Sequence, residues 1–160
     1  MQGTVSYLEI APEKGAPVQR VDAVRAVPGL GLEGDRYFTI ASGSSGGEHA
    51  DDDEVTLIET ENIEEFNREY GTTYHPADMR RNIATRGIRL NDLAGREFRI
   101  GDVRFRGHGL CEPCKTLAKL TTPDVLQGLL HKAGLRAQVL TEGTIRVGDV
   151  IEAVGGMHDA

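Results

Sequence analysis

Apolar positions change period several times along this chain, and the changes mark its elements. Val5 to Ile10 and Val18 to Val27 are rich in β-branched residues and predict short strands, separated by the turn signals Pro12, Gly15 and Pro17. Val55 to Ile58 predicts a compact strand. Directly after it, Ile63, Phe66 and Tyr70 fall at helical spacing within Thr60 to Tyr70, and Gly71 supplies the stop. Phe98, Ile100, Val103 and Phe105 alternate around Gly101-Asp102, and Ile145, Val147, Val150 and Ile151 do much the same around Gly148-Asp149. Each half predicts two strands meeting at a turn. The likeness of RIGDV to RVGDV is too short for a repeat and reflects a shared turn, in which Asp102 and Asp149 are turn residues rather than acids. Between these halves Thr122 can cap a helix that opens with Pro123, runs through Val125, Leu126, Leu129 and Leu130, and ends at Gly134. Leu135 to Leu140 then returns as a strand.

Glycine punctuates the remainder. Gly29, Gly31 and Gly34 space the run PGLGLEGDRYF, and residues 43–47 (GSSGG) form a second flexible stretch leading into the acidic Glu48 to Glu54. That acidic run lacks the spacing and central glycine of a calcium loop and reads as a solvated surface. Many short strands, two modest helices and 20 glycines predict a mainly β, barrel-like domain with helical insertions, α+β by content.

At 160 residues the chain fits one domain, expected over 1–154, with 155–160 as a flexible tail. A net charge of -7 argues against nucleic acid as a partner, because neutralising many phosphates needs a broad basic surface. The first thirty residues hold no basic flank followed by an apolar run, and nowhere do eighteen apolar residues follow one another, so the expectation is a cytoplasmic protein without a membrane span.

The two cysteines carry the candidate chemistry. Cys111 and Cys114 flank a proline in GLCEPCKTL, a spacing that cannot build a disulfide framework and suits a reducing compartment. Four readings are open. His108 with both cysteines makes an H-x-x-C-x-x-C half-site for zinc, without a visible fourth ligand. A thioredoxin-type redox pair wants the motif at a strand end opening a helix in a βαβ unit. Two inert cysteines can pack as small hydrophobes, although Glu112, Pro113 and Lys115 make the stretch polar. The fourth reading is a single reactive thiolate that carries sulfur or binds a soft transition metal, favoured by the positive charge of Lys115 and by the helix expected to begin near Pro123.

GLEGDRYF (31–38), RRNIATRGIRLNDLAGREFRIGDV (80–103), CEPCKTL (111–117) and GLRAQVLTEGTIRVGDVI (134–151) occur in an order that resembles the MOSC domain, named after the C-terminal part of eukaryotic molybdenum-cofactor sulfurase. The resemblance spans nearly the whole chain. It implies a MOSC-type β-barrel that binds molybdenum cofactor and uses one essential cysteine, either as a molybdenum ligand in reductases of N-hydroxylated compounds or in sulfur delivery. The family's key cysteine follows a proline and maps to Cys114, the expected metal ligand; Cys111 is a neighbour suited to resolving a disulfide or persulfide. A pterin cofactor ends in phosphate, which the planar fork of arginine binds with two hydrogen bonds, so Arg36 and Arg81 are the cofactor-binding candidates. Asn82 can address pterin edges, Gly31 and Gly34 let backbone N–H groups approach an anion, and Asp35 belongs to the same GDR corner. Arg80, Arg86 and Lys115 can extend a positive rim. No flavin or nicotinamide fingerprint is present, so electrons or sulfur would come from a redox or sulfur-donor protein. Better understood relatives add an N-terminal β domain to the pocket, for which this chain has no room, so the expectation is that it holds the cofactor transiently, handles a smaller anion such as molybdate, or needs a second subunit to close the site. The alternative from another class is a non-catalytic module that binds a small anion or a partner.

Overall fold

The computed structural model describes residues 2–13, 16–41 and 54–155, apart from the side chains of 39–41. The GSSGG stretch, the acidic run up to residue 53 and the tail beyond Gly155 lie outside the described residues.

Eleven strands are described: β1 (Gln2–Ile10), β2 (Gln19–Arg20), β3 (Ala23–Val27), β4 (Gly31–Leu32), β5 (Val55–Glu59), β6 (Ile83–Arg86), β7 (Glu97–Ile100), β8 (Val103–Leu110), β9 (Leu135–Val139), β10 (Gly143–Arg146) and β11 (Val150–Ala153). The helices are α1 (Arg36–Ala41), α2 (Thr60–Tyr70), α3 (Pro76–Met79), α4 (Lys115–Leu120) and α5 (Val125–Gly128), with a 3-10 turn over Leu90–Leu93. The order β11-β7-β8-β9-β5-β6-β1 closes on itself because β11 also pairs with β1, giving a seven-stranded barrel. Closure removes the sheet edges that would otherwise present unpaired backbone groups. Strand β2 branches from β1, and β10-β3-β4 forms a separate small sheet.

Two apolar cores explain the sequence pattern. The barrel interior holds Val5, Leu8, Leu57, Phe98, Phe105 and their neighbours. A second cluster, including Ile58, Ile63, Phe66, Leu117, Val125 and Leu129, lies between the outer wall and the helices. Strand β5 is buried on both faces, with Leu57 in one cluster and Ile58 in the other, so its apolar run is continuous rather than alternating. Strand β8 is buried on one face only: Val103 and Phe105 point inward, Arg104, Arg106 and His108 outward.

The hairpin expected at Gly101-Asp102 is β7–β8, with Phe98 opposite Phe105 and their rings stacked at 5.4 Å. The matching half at Gly148-Asp149 is not a hairpin. Strand β10 pairs with β3 while β11 pairs with β1 and β7, because the turn hooks onto β1 instead: Gly148 N donates to Val5 O at 2.8 Å and Val5 N to Asp149 O at 2.9 Å. The strand expected over Val18 to Val27 also divides, its first part joining β1 and its second joining β10. Helix α2 ends as expected, with Gly71 left-handed at φ 69° and its N–H on Asn67 O. The helix expected from Pro123 to Gly134 is only the four residues of α5, whose N-cap is Asp124 without a side-chain bond of its own; Thr122 Oγ1 accepts from Asp124 N at 3.5 Å in the turn that leads in. Gly128 packs so closely on Phe66 and Tyr70 that a Cβ there would lie 2.6 Å from either ring, and the chain turns away after it.

Candidate functional site

The GDR corner follows β4. Gly34 adopts φ +90°, and a Cβ there would come within 3.0 Å of Ile10 Cδ1, so the tight approach to β1 suits glycine. Asp35 is 1% exposed and works as a node: Oδ1 accepts from Ala11 N at 2.9 Å and from Asn82 Nδ2 at 3.2 Å, and Oδ2 accepts from Tyr37 N at 3.3 Å. Burial pushes its carboxyl above the ordinary value, against the pull of those hydrogen bonds and of Arg36. Arg36 turns away from Asp35; its guanidinium lies 4.7 Å over the Tyr37 ring and Nη2 donates to Tyr37 Oη at 3.2 Å.

In the RRN stretch successive side chains go different ways. Asn82 is buried, and its amide is engaged within the protein: Oδ1 accepts from Thr56 N at 3.0 Å and Oγ1 at 3.2 Å, while Nδ2 donates to Glu9 O and Asp35 Oδ1. It ties β1, β5 and the GDR corner together. Arg81 points to the segment before β9, with Nε donating to Ala133 O at 2.9 Å and Nη1 to Met79 O at 3.4 Å; its Nη2 is buried without a hydrogen-bond partner among the described residues. Of the expected positive rim, Arg80 donates to Ala16 O at 2.7 Å, Arg86 is a two-pronged partner of Glu64, and Lys115 is exposed at the start of α4.

The CEPC turn joins β8 to α4. Cys111 N donates to Gly134 O at 2.8 Å. Both Glu112 oxygens meet His131, Oε1 accepting its backbone N–H at 2.7 Å and Oε2 lying 2.6 Å from Nδ1. Cys114 is exposed at the N-cap of α4, and Leu117, one turn on, anchors that helix in the outer core. The thiol is therefore open to solvent rather than packed as an inert hydrophobe. The motif does run from a strand into a helix, yet β8 is antiparallel to both its neighbours, so there is no βαβ unit around it. Among the described residues no group of three His, Cys, Asp or Glu is placed to hold a metal, which leaves the His108 zinc half-site without support.

Two sets of candidates are thus assembled. Asp35 and Asn82 are in direct contact, with Gly34 and Arg36 alongside. Arg81 and Cys111 bind adjacent carbonyls, those of Ala133 and Gly134, which brings the RRN stretch to the CEPC turn. Neither Glu9 nor the Glu112–His131 pair stands out in the sequence. Glu9 is 2% exposed, its Oε1 has no hydrogen-bond partner among the described residues, and burial raises its pKa to about 8 against the pull of Tyr7 and Arg80. The only sequence signal is a carboxylate set between Leu8 and Ile10, at the end of β1 that is buried on both faces.

A closed barrel whose helical face presents an exposed cysteine defines a class of β-barrel domain. The chain belongs to the MOSC domain family, whose model matches residues 45–152. Among solved structures it is similar to the YUAD protein from Bacillus subtilis, at 19% identity over 96% of each chain with a TM-score of 0.81. It is also similar to YiiM from Geobacillus stearothermophilus, at 19% identity over 97% of this chain and 76% of that one, TM-score 0.72. YiiM from Escherichia coli is 21% identical over 97% and 70%, TM-score 0.70. No curated protein matches the chain significantly. No helix among the described residues is long and apolar enough to cross a membrane.

Proposed function

We propose that this protein binds molybdenum cofactor, or a smaller molybdenum or sulfur species, through the Cys114 thiolate, acting in sulfur transfer or in the reduction of N-hydroxylated compounds. The observation that carries the reading is the buried, unpartnered Nη2 of Arg81, whose other nitrogens donate to two carbonyls; the next carbonyl along, Gly134 O, binds Cys111 N in the turn that carries the exposed Cys114. A buried donor without an acceptor is costly, and an anionic ligand group would satisfy it. The residues present therefore fit the group: thiolate suits a soft metal, and guanidinium suits phosphate or oxyanion. When bound, the cofactor supplies a redox-active centre to which sulfur can be attached. Arg81 orients the anion, Arg36 offers a second guanidinium at the GDR corner, and Gly34, Asp35 and Asn82 shape that corner. Cys111, three residues earlier in the chain, is the neighbouring thiol assigned to resolve a disulfide or persulfide formed at Cys114. Electrons or sulfur come from a partner protein in the cytoplasm.

Purification under reducing, anaerobic conditions, followed by elemental analysis and mass spectrometry of the intact chain, tests this. Molybdenum or a one-sulfur mass increment is expected in the parent and absent from Cys114→Ala. Equal retention in both proteins removes Cys114 from the role.

A further inference from the structure

Resting on the reading of Cys114 and Arg81 above, we propose that Glu112 and His131 form a positioning clasp that sets the CEPC turn and keeps Cys114 in register with the Arg81 guanidinium. One residue takes both oxygens of the carboxylate, through its backbone N–H at 2.7 Å and its ring Nδ1 at 2.6 Å. An ionised carboxylate only accepts, so Nδ1 carries the hydrogen. Both side chains are exposed, and the Coulomb energy of such a pair is small. Its effect is geometric, since two bonds to one carboxylate fix orientation as well as distance.

His131 holds φ 63°, a left-handed backbone that a non-glycine residue keeps only where its surroundings impose it. The surroundings do so here. Four consecutive carbonyls accept from four parts of the fold: His131 O from Asn91 Nδ2 at 2.9 Å, Lys132 O from Asn62 Nδ2 at 3.2 Å, Ala133 O from Arg81 Nε at 2.9 Å, and Gly134 O from Cys111 N at 2.8 Å. The segment is a strap whose first residue grips the CEPC turn by its side chain and whose last grips it by the backbone, with Arg81 held between. Glu112 stands between the two cysteines, immediately before Pro113, whose ring restricts its conformation further. Releasing the clasp removes two of the hydrogen bonds described between the turn and the strap and leaves that of Cys111 N to Gly134 O.

The test alkylates the folded protein with iodoacetamide and reads the Cys114 to Cys111 rate ratio by mass spectrometry in the parent, Glu112→Ala, His131→Gly and His131→Asn. The ratio is expected to shift by more than about twofold in Glu112→Ala and in His131→Gly, with little further change when the two are combined, as coupled residues behave. Glycine relieves the left-handed strain at 131, so His131→Gly is expected to melt no lower than the parent, which separates positioning from stability. Asparagine tolerates the same backbone and can still donate to Glu112, so His131→Asn is expected to restore the ratio. A ratio within about twofold of the parent in both single variants overturns the clasp, and so does a His131→Asn variant that behaves like His131→Gly. Repeating the alkylation with molybdate present separates the two readings. Shielding of Cys114 by molybdate in the parent and its loss in Glu112→Ala supports both, whereas no shielding in the parent sinks the anion reading and leaves the ratio to decide the clasp.

Discussion

Glu9 shows what one residue's surroundings do. Burial is the largest influence on its carboxyl; the Tyr7 hydroxyl on its own strand and Arg80 just after α3 favour ionisation, while Asp35 at the GDR corner and Asp78 within α3 oppose it. The folded protein holds the proton up to about pH 8, while an unfolded chain releases it near 4.5. Between these values the folded state binds more protons, so stability falls as pH rises across that window and levels off above it. One such group changes stability by about 1.4 kcal/mol per pH unit within the window. Asp35, also raised, adds in the same direction from its own ordinary value upward. Glu9→Gln keeps the shape and removes the titration, so urea unfolding at several pH values between 5 and 8 is expected to lose most of this slope. A slope equal to the parent's would mean that Glu9 ionises freely in the folded protein. Its setting between Leu8 and Ile10 hints at burial, but the raised pKa itself is not legible in the sequence, because it depends on α3 and the GDR corner closing over β1.

At the scale of elements, legibility followed length and periodicity. Helix α2 and strands β1, β7, β8 and β9 were readable because each repeats its pattern over enough residues for one face to be distinguished, and β5 because its apolar run is unbroken. Helices α3, α4 and α5 have 4, 6 and 4 residues, barely a turn of signal each, and α4 exists because Leu117 packs into the outer core. The end of the strap is equally invisible as chain pattern. Gly134 reads as a helix stop in sequence, yet it lies against β5, with φ +125° and space for a Cβ only 2.0 Å from Leu57 O. Gly134→Ala must therefore push β9 from β5 or break the strap, and is expected to lower unfolding free energy by more than about 2 kcal/mol. Chemical denaturation measures it, and a change below half that figure would show that the strand pair yields easily. The CEPC motif itself was fully legible; its anchorage through His131 was not, since 19 residues separate that pair.

For the whole molecule, barrel closure is the organising event. Phe105 is fully buried and stacks on Phe98 across the β7–β8 hairpin, inside a core shared by all seven barrel strands. Phe105→Ala is expected to cost about 3–5 kcal/mol in denaturant unfolding, and a loss under about 1 kcal/mol would show that the interior refills. The sequence by itself determined the mainly β class, the hairpin at Gly101, the long helix and the CEPC motif, because each rests on local periodicity or on residue types side by side in the chain. Only the tertiary structure decided that the Gly148 turn switches sheets, that Asn82 is a buried node while Arg81 keeps a buried donor without a partner among the described residues, and that burial raises the pKa of Glu9. Those outcomes depend on which distant strand supplies a neighbour, and partners brought together by closure leave no trace in the order of residues.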